Sequence, residues 1–153
     1  MQEPLKIRTA VRADIDFLVD SNAAMALETE HKQLDRAVLR RGVAAVFEAP
    51  QRGFYQIAER AGVAVGCLLI TYEWSDWRNG DWWWIQSVYV IASARRSGVF
   101  RALYADIEQR ARETPGVVGL RLYVERENHT AQNTYAALGM KDSGYQLLET
   151  AFT

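Results

Sequence analysis

The stretch VYVIASARRSGVFRALY, residues 88–104, changes its periodicity in mid-course and so decides the fold. Val88 to Ile91 is an apolar, β-branched and aromatic run of the kind that forms a strand. From Gly98 onward, Val99, Phe100, Leu103 and Ile107 recur at helical spacing, so the intervening turn hands a strand over to an amphipathic helix. Backbone N–H groups at a helix start lack intrahelical acceptors, and the helix dipole favours negative charge there. Gly98 removes a side chain from the approach, and Arg95, Arg96 and Arg101 add cations around Ser97. The turn therefore suits a phosphate-like anion. A basic turn before a helix also suits plain solvent, and its surroundings must decide between the two.

Working outward, WWWIQSVYVI from Trp82 to Ile91 reads as one long strand, preceded by an Arg78-Asn79-Gly80-Asp81 turn. Upstream, Phe54 to Arg60 and Val63 to Tyr72 are β-rich and separated by Ala61-Gly62, which predicts a hairpin and, with the strand that follows, an antiparallel meander. Leu5 to Ala10 alternates as an edge strand would. Asp14 starts a helix running into Met25, and Asp35 caps a second through Val38, Leu39, Val43, Val46 and Phe47 before Pro50. Downstream, Pro115-Gly116 ends the helix opened by Gly98. Val117 to Val124 returns as a strand, Asn128 to Leu138 is a helix closed by Gly139, and Tyr145 to Phe152 offers a last strand. This order predicts an α/β (α+β) chain with one mixed sheet and helices on its faces, rather than a bundle or sandwich.

The 153 residues suit a single domain spanning 1–153. With 49% hydrophobic and 24% charged residues the chain can build its own core. Eighteen Lys and Arg against nineteen Asp and Glu give a net charge of -1, which provides no general field for nucleic acid or an anionic membrane. Cys67, His31 and His129 form no metal-ligand spacing, so no metal is expected. MQEPLKIRTA is not a signal peptide and no run reaches the roughly 20 apolar residues of a membrane span, so the expectation is a soluble, cytoplasmic protein.

Arg95-Arg96-Ser97-Gly98-Val99-Phe100 follows Arg/Gln-x-x-Gly-x-Gly/Ala at its first Arg and first Gly, with Phe100 as a departure. In ENHTAQNTYAALGM, residues Asn128, Ala131, Tyr135, Leu138 and Gly139 follow Asn-x-x-Ala-x-x-x-Tyr-x-x-Leu-Gly. With these two motifs in this order after a meander, the chain resembles the GNAT superfamily of acetyl-CoA-dependent N-acetyltransferases. The resemblance implies a mostly antiparallel central sheet flanked by helices, with acetyl-CoA in a splayed opening between the strand ending near Ile91 and the strand Val117 to Val124. It further implies that Val88, Tyr89 and Val90 pair with the pantetheine arm and that Arg96 to Phe100 receive the pyrophosphate. Arg101 and Asn128 join that cofactor set, the Val90 N–H becomes a candidate oxyanion donor, and Tyr135 is the candidate acid for the departing thiolate.

An attacking amine must be neutral, yet a lysine-like amine is almost wholly protonated at neutral pH. Many members of the superfamily use a strand Glu as base, whereas this strand offers Trp84 and Gln86. Gln86 could hold a water, and Glu28, Glu30 or Glu73 could accept the proton, with His31 a further carrier. ETEHK reads equally as a solvated helix end. Trp74, Trp77, Trp82, Trp83 and Trp84, with Asp76 and Asp81, could wall a cationic substrate, but strand alternation sends Trp83 to the face opposite Trp82 and Trp84. Cys67 reads as a core residue. The expected reaction is acetyl transfer from acetyl-CoA to a primary amine of a small molecule or peptide. A non-catalytic acyl-CoA binder and an aromatic-rich peptide- or sugar-binding module are the alternatives, and a homodimer is left open.

Overall fold

A computed structural model describes residues 3–153, which fall into two compact units divided after Leu122. The first unit holds a five-stranded sheet of order β1-β2-β3-β4-β5. Its strands are β1 (Leu5–Thr9), β2 (Gly53–Arg60), β3 (Val63–Ser75), β4 (Gly80–Val90) and β5 (Val117–Leu122). β1 to β4 run antiparallel to their neighbours, and β5 lies parallel to β4. The hairpin turn places Ala61 at φ 49° and Gly62 at φ 77°, the two left-handed residues whose twist matches that of flanking strands. At the far end the turn is Asp76–Asn79, and Gly80 already belongs to β4.

Three helices cover the sheet of this unit: α1 (Ile15–Glu30), α2 (Arg36–Glu48) and α3 (Val99–Glu113). Asp35 caps α2 as its sequence position predicts, accepting from the N–H groups of Ala37 and Val38. α1 outruns its predicted end by one turn and closes at His31 with φ 55°. Leu18, Val19 and Val43 from these two helices bury against Tyr55, Ile57 and Cys67 of the sheet. On the opposite face α3 contributes Val99, Leu103 and Ile107, each nearly or wholly buried. Gly66 admits this helix, since a Cβ there would stand 2.7 Å from Val99 Cγ1. Cys67 is wholly buried, and burial pushes its thiol up to about 12, which suits a packing residue.

The second unit, Tyr123–Thr153, contains α4 (His129–Ala137). Asn128 caps this helix through its side chain, which accepts from the Ala131 N–H at 3.1 Å. Gly139 closes it at φ 95°, its N–H reaching the Ala136 carbonyl while Met140 reaches that of Tyr135, a paired C-terminal closure. The last strand predicted over Tyr145 to Phe152 does not form. The segment has no regular structure and Tyr145, Leu147, Leu148 and Phe152 are exposed. A strand requires a neighbour for its backbone groups, and within its own unit this segment has no other strand to pair with.

Candidate functional site

The two strands expected to part do so at a definite place. β4 and β5 pair from Asp81 and Val117 as far as Ile85 and Leu122. β4 continues to Val90 beyond the end of β5. Its other edge stays paired with β3, where Gln86 faces Leu69 and Tyr89 faces Cys67. Two residues, Ser87 and Val88, therefore oppose Leu68 alone, and Ser87 takes φ 52°. Such a bulge bends the strand and increases its twist just where pairing with β5 ceases. The N–H of Ile91 donates to the Val65 carbonyl, so by alternation the backbone groups of Val90 point toward the unpaired edge.

Beyond this edge the turn delivers a helix start. Gly98 is the N-cap of α3 at φ 83°, no side chain caps the helix, and nothing lies within 4 Å of the position a Cβ would take. The leading N–H groups of α3 thus have no side-chain cap and can receive an anion. Here the value of Gly98 is its left-handed backbone, since a side chain would meet no obstruction. Arg96 also adopts a left-handed φ of 61° and is exposed. Ser97 is held from behind by Arg60, which donates to its hydroxyl at 2.9 Å and to its carbonyl at 3.0 Å. Arg60 lies 37 residues away, and no local pattern announces that brace. Phe100 is half-buried beside the Tyr104 ring at 6.2 Å, while Val99 takes the buried place.

Arg95 turns the other way. Its Nε donates to the Val90 carbonyl at 2.9 Å, its guanidinium meets Glu28 at 2.8 Å and lies 5.4 Å from the Tyr89 ring centre. The Tyr89 hydroxyl donates to the other Glu28 oxygen at 3.0 Å. The hydrogen bond from Arg95 holds the Glu28 carboxyl below the usual carboxylate range, while desolvation and the neighbouring carboxylate raise the Tyr89 phenol. Glu28 therefore sits against β4. Glu30 is exposed and meets Lys32 at 3.8 Å instead.

Strand pairing puts Leu69, Thr71 and Glu73 of β3 on the sheet face that also carries Gln86, Trp84 and Trp82 of β4. Gln86 donates to the Thr71 hydroxyl. Glu73 accepts from the Trp84 indole at 2.8 Å and from Arg121 at 2.9 Å, and these contacts hold its carboxyl below the usual range. Arg121 lies 3.9 Å from the Trp82 ring centre, and Gly119 leaves room for that indole, which would stand 2.5 Å from a Cβ there. Sequence reading reaches Glu73 and the tryptophans but misses Arg121, although period-two alternation along β5 would have placed it beside Gly119. Trp83 faces the other way, edge-on to Phe54 at 5.4 Å, and Trp74 and Trp77 are exposed near the β3–β4 turn, so no continuous wall of five tryptophans forms.

In the second unit Asn128 serves as the cap of α4, and Tyr135 lies on that helix with its phenol raised by desolvation. Among the described residues no group of three His, Cys, Asp or Glu could hold a metal ion, and no helix is long and apolar enough to cross a membrane.

Residues 17–140 match the family model described as the acetyltransferase (GNAT) family, and the chain belongs to that family. A possible acetyltransferase from Clostridium difficile 630 is 40% identical, with a TM-score of 0.92 over 99% of each chain. A predicted acetyltransferase from Clostridium acetobutylicum, solved with acetyl-CoA, shares 16% identity at a TM-score of 0.77 over 96% of each chain. AAC(6')-Iy, solved with the bisubstrate analogue CoA-S-monomethyl-acetylneamine, shares 18% identity at a TM-score of 0.77 over 99% of this chain and 100% of its own. The last two likenesses establish the fold alone. No curated protein gives a significant match.

Proposed function

We propose that this acetyltransferase moves the acetyl group of acetyl-CoA to a primary amine of a small molecule or peptide, with residues 1–153 acting as one catalytic domain. The observation that carries the reading is the end of β4–β5 pairing at Ile85, followed by a β4 edge running free to an uncapped helix start at Gly98. Acetyl-CoA supplies a thioester already activated for attack. The edge of Val88 to Val90 offers backbone partners to an amide-bearing arm, and the N–H groups from Arg96 to Phe100 with the Arg101 charge suit a pyrophosphate. Val90 N–H is the donor proposed for the developing oxyanion.

Amine attack forms a C–N bond and breaks the C–S bond; starting from the ammonium form, two protons must leave the nitrogen, one lost to the base before attack and one balanced by the proton that reaches the sulfur. Glu28, which accepts from the Tyr89 hydroxyl of β4, is proposed to hold the ammonium group and, with Gln86 ordering a water, to carry its proton away. Its lowered pKa makes it better at the first task than the second. Glu30 is a more distant helper, paired to Lys32 at the helix end. Tyr135 is proposed as the acid on its motif position in α4, and Asn128 supports the site by fixing the start of that helix. A non-catalytic acyl-CoA binder is the second reading, favoured by Gln86 standing where a strand carboxylate is usual.

The test is thiol release from acetyl-CoA across a panel of amines, after a thermal shift has registered CoA binding. Release with at least one amine supports transfer, whereas binding without release for any amine favours the second reading. General acid catalysis contributes about 10²–10⁴-fold, so Tyr135→Phe is expected to lose turnover on that scale with CoA affinity retained. Parental turnover, measured where chemistry limits the rate, would remove Tyr135 from that role.

A further inference from the structure

We infer that the acceptor carries a second positive charge, which Glu73 holds on the face of the sheet while the reacting amine lies at Glu28. The inference rests on the role proposed for Glu28 above. What carries it is a constellation built twice. At the first, the Glu28 carboxylate accepts from Arg95 at 2.8 Å and from the Tyr89 hydroxyl at 3.0 Å, and the Arg95 guanidinium lies 5.4 Å from the Tyr89 ring centre. At the second, the Glu73 carboxylate accepts from Arg121 at 2.9 Å and from the Trp84 indole at 2.8 Å, and the Arg121 guanidinium lies 3.9 Å from the Trp82 ring centre. Each is a carboxylate fixed by one arginine that lies over an aromatic ring and by one neutral aromatic donor. These contacts hold both carboxyls below their usual range, so both are anions at neutral pH.

The two constellations share one face of the first unit. Tyr89 pairs with Cys67 and Trp82 with Glu73, and alternation along β3 puts Cys67 and Glu73 on the same side. Glu73 stands six residues beyond Cys67, roughly 20 Å of strand. A small amine cannot touch both carboxylates, whereas an elongated one with a cation at each end can. Glu73 also has an oxygen to spare. Both of its hydrogen bonds fall on Oε1, and among the described residues Oε2 accepts none. An ammonium group offers donors alone, which is what that oxygen lacks. Arg121 by itself would favour an anion, but its charge is already directed at Oε1 and against the Trp82 ring. The same contacts fix the carboxylate in advance, so little ordering remains when a cation arrives.

The test compares α,ω-diamines, monoamines and ω-amino acids of matched and increasing chain length. Each is titrated calorimetrically into the full chain loaded with CoA, and assayed separately with acetyl-CoA. Short diamines should behave as monoamines do. Once the chain spans both carboxylates, diamines should bind about tenfold or more tighter, with KM falling by the same factor. Glu73→Gln, which keeps the side-chain shape and removes the charge, should erase that step and bring the diamine and monoamine series together. Diamines no tighter than monoamines at any length overturn the proposal, as does a step that survives in folded Glu73→Gln. Long ω-amino acids binding tightest overturn it too, and assign the position to an anion at Arg121. Should Glu73→Gln fail to fold, the three series on the parent chain decide alone. The titration requires no acetyl transfer, so a length step in binding without turnover supports this site while counting against the proposed reaction.

Discussion

Glu28 carries its charge near the C-terminal end of α1, where the helix dipole disfavours an anion, and Arg95 and Tyr89 offset that cost by direct contact. The pair with Arg95 is about half exposed, so its own contribution to stability is at most about 1 kcal/mol. Its value is positional. Glu28→Gln should leave CoA affinity within about twofold, since exposed ion pairs are weak, while kcat/KM for the amine falls about tenfold or more with loss of a charge-assisted contact. Calorimetric titration of CoA and acceptor kinetics on the same preparation separate the two effects, and an unchanged kcat/KM returns Glu28 to a scaffolding role. Nothing in the sequence distinguishes Arg95 from Arg96, because both are simply cations in a turn. The distinction arises from the backbone, which turns left-handed at Arg96 and sends the Arg95 side chain back along β4 toward a residue 67 positions away.

At the scale of elements, the first turn of α3 is set by its fit over Gly66 of β3. A Cβ there would stand 2.7 Å from Val99 Cγ1 and 3.3 Å from the Tyr89 carbonyl oxygen, between the helix and the strand that flank the proposed cofactor edge. Gly66→Ala should therefore destabilise by about 1–3 kcal/mol, as overpacking does, and should also weaken CoA binding because it moves the N-terminus of α3. Urea unfolding together with CoA titration tests this, and parental values in both would mean that Val99 swings aside freely. The helices α1 to α4 and strands β1 to β5 were legible because each carries its own period and its own stop signal. The tail pattern was equally legible as a strand, but forming it depends on a neighbour, which no local pattern supplies. For the same reason the brace of Arg60 behind Ser97 is not legible in the sequence, since it joins a strand to a segment 37 residues away.

For the whole molecule, acid stability should depend on the junction where β1, β2 and the turn before α1 meet. Arg8 holds Asp14 at 2.8 Å and Glu59 at 2.8 Å, and Asp14 also accepts from the Val11 N–H at 2.7 Å. The hydrogen bond from Arg8 is the chief cause that lowers the Asp14 carboxyl, against an opposing desolvation. A lowered folded value means the stabilisation is complete above the unfolded value of about 3.9 and disappears as pH falls through the lower folded value. Urea unfolding from pH 6 downward should show Asp14→Asn less stable near neutrality, with the difference from the parent narrowing below about pH 4. A constant difference would mean that Asp14 acts through packing alone. The extra residue at Ser87 has a consequence for how this chain tolerates changes in length. Deleting it would let Val88 face Leu68 with every later side chain on its present side of the sheet, so the hydrophobic pattern would survive. The deletion would also remove a non-glycine residue at φ 52°, a conformation that costs about 1–3 kcal/mol. The shortened chain should consequently unfold at higher urea and no longer retain CoA, a sturdier protein obtained by erasing the irregularity that holds its strands apart; an unchanged CoA titration would show that the gap has another cause.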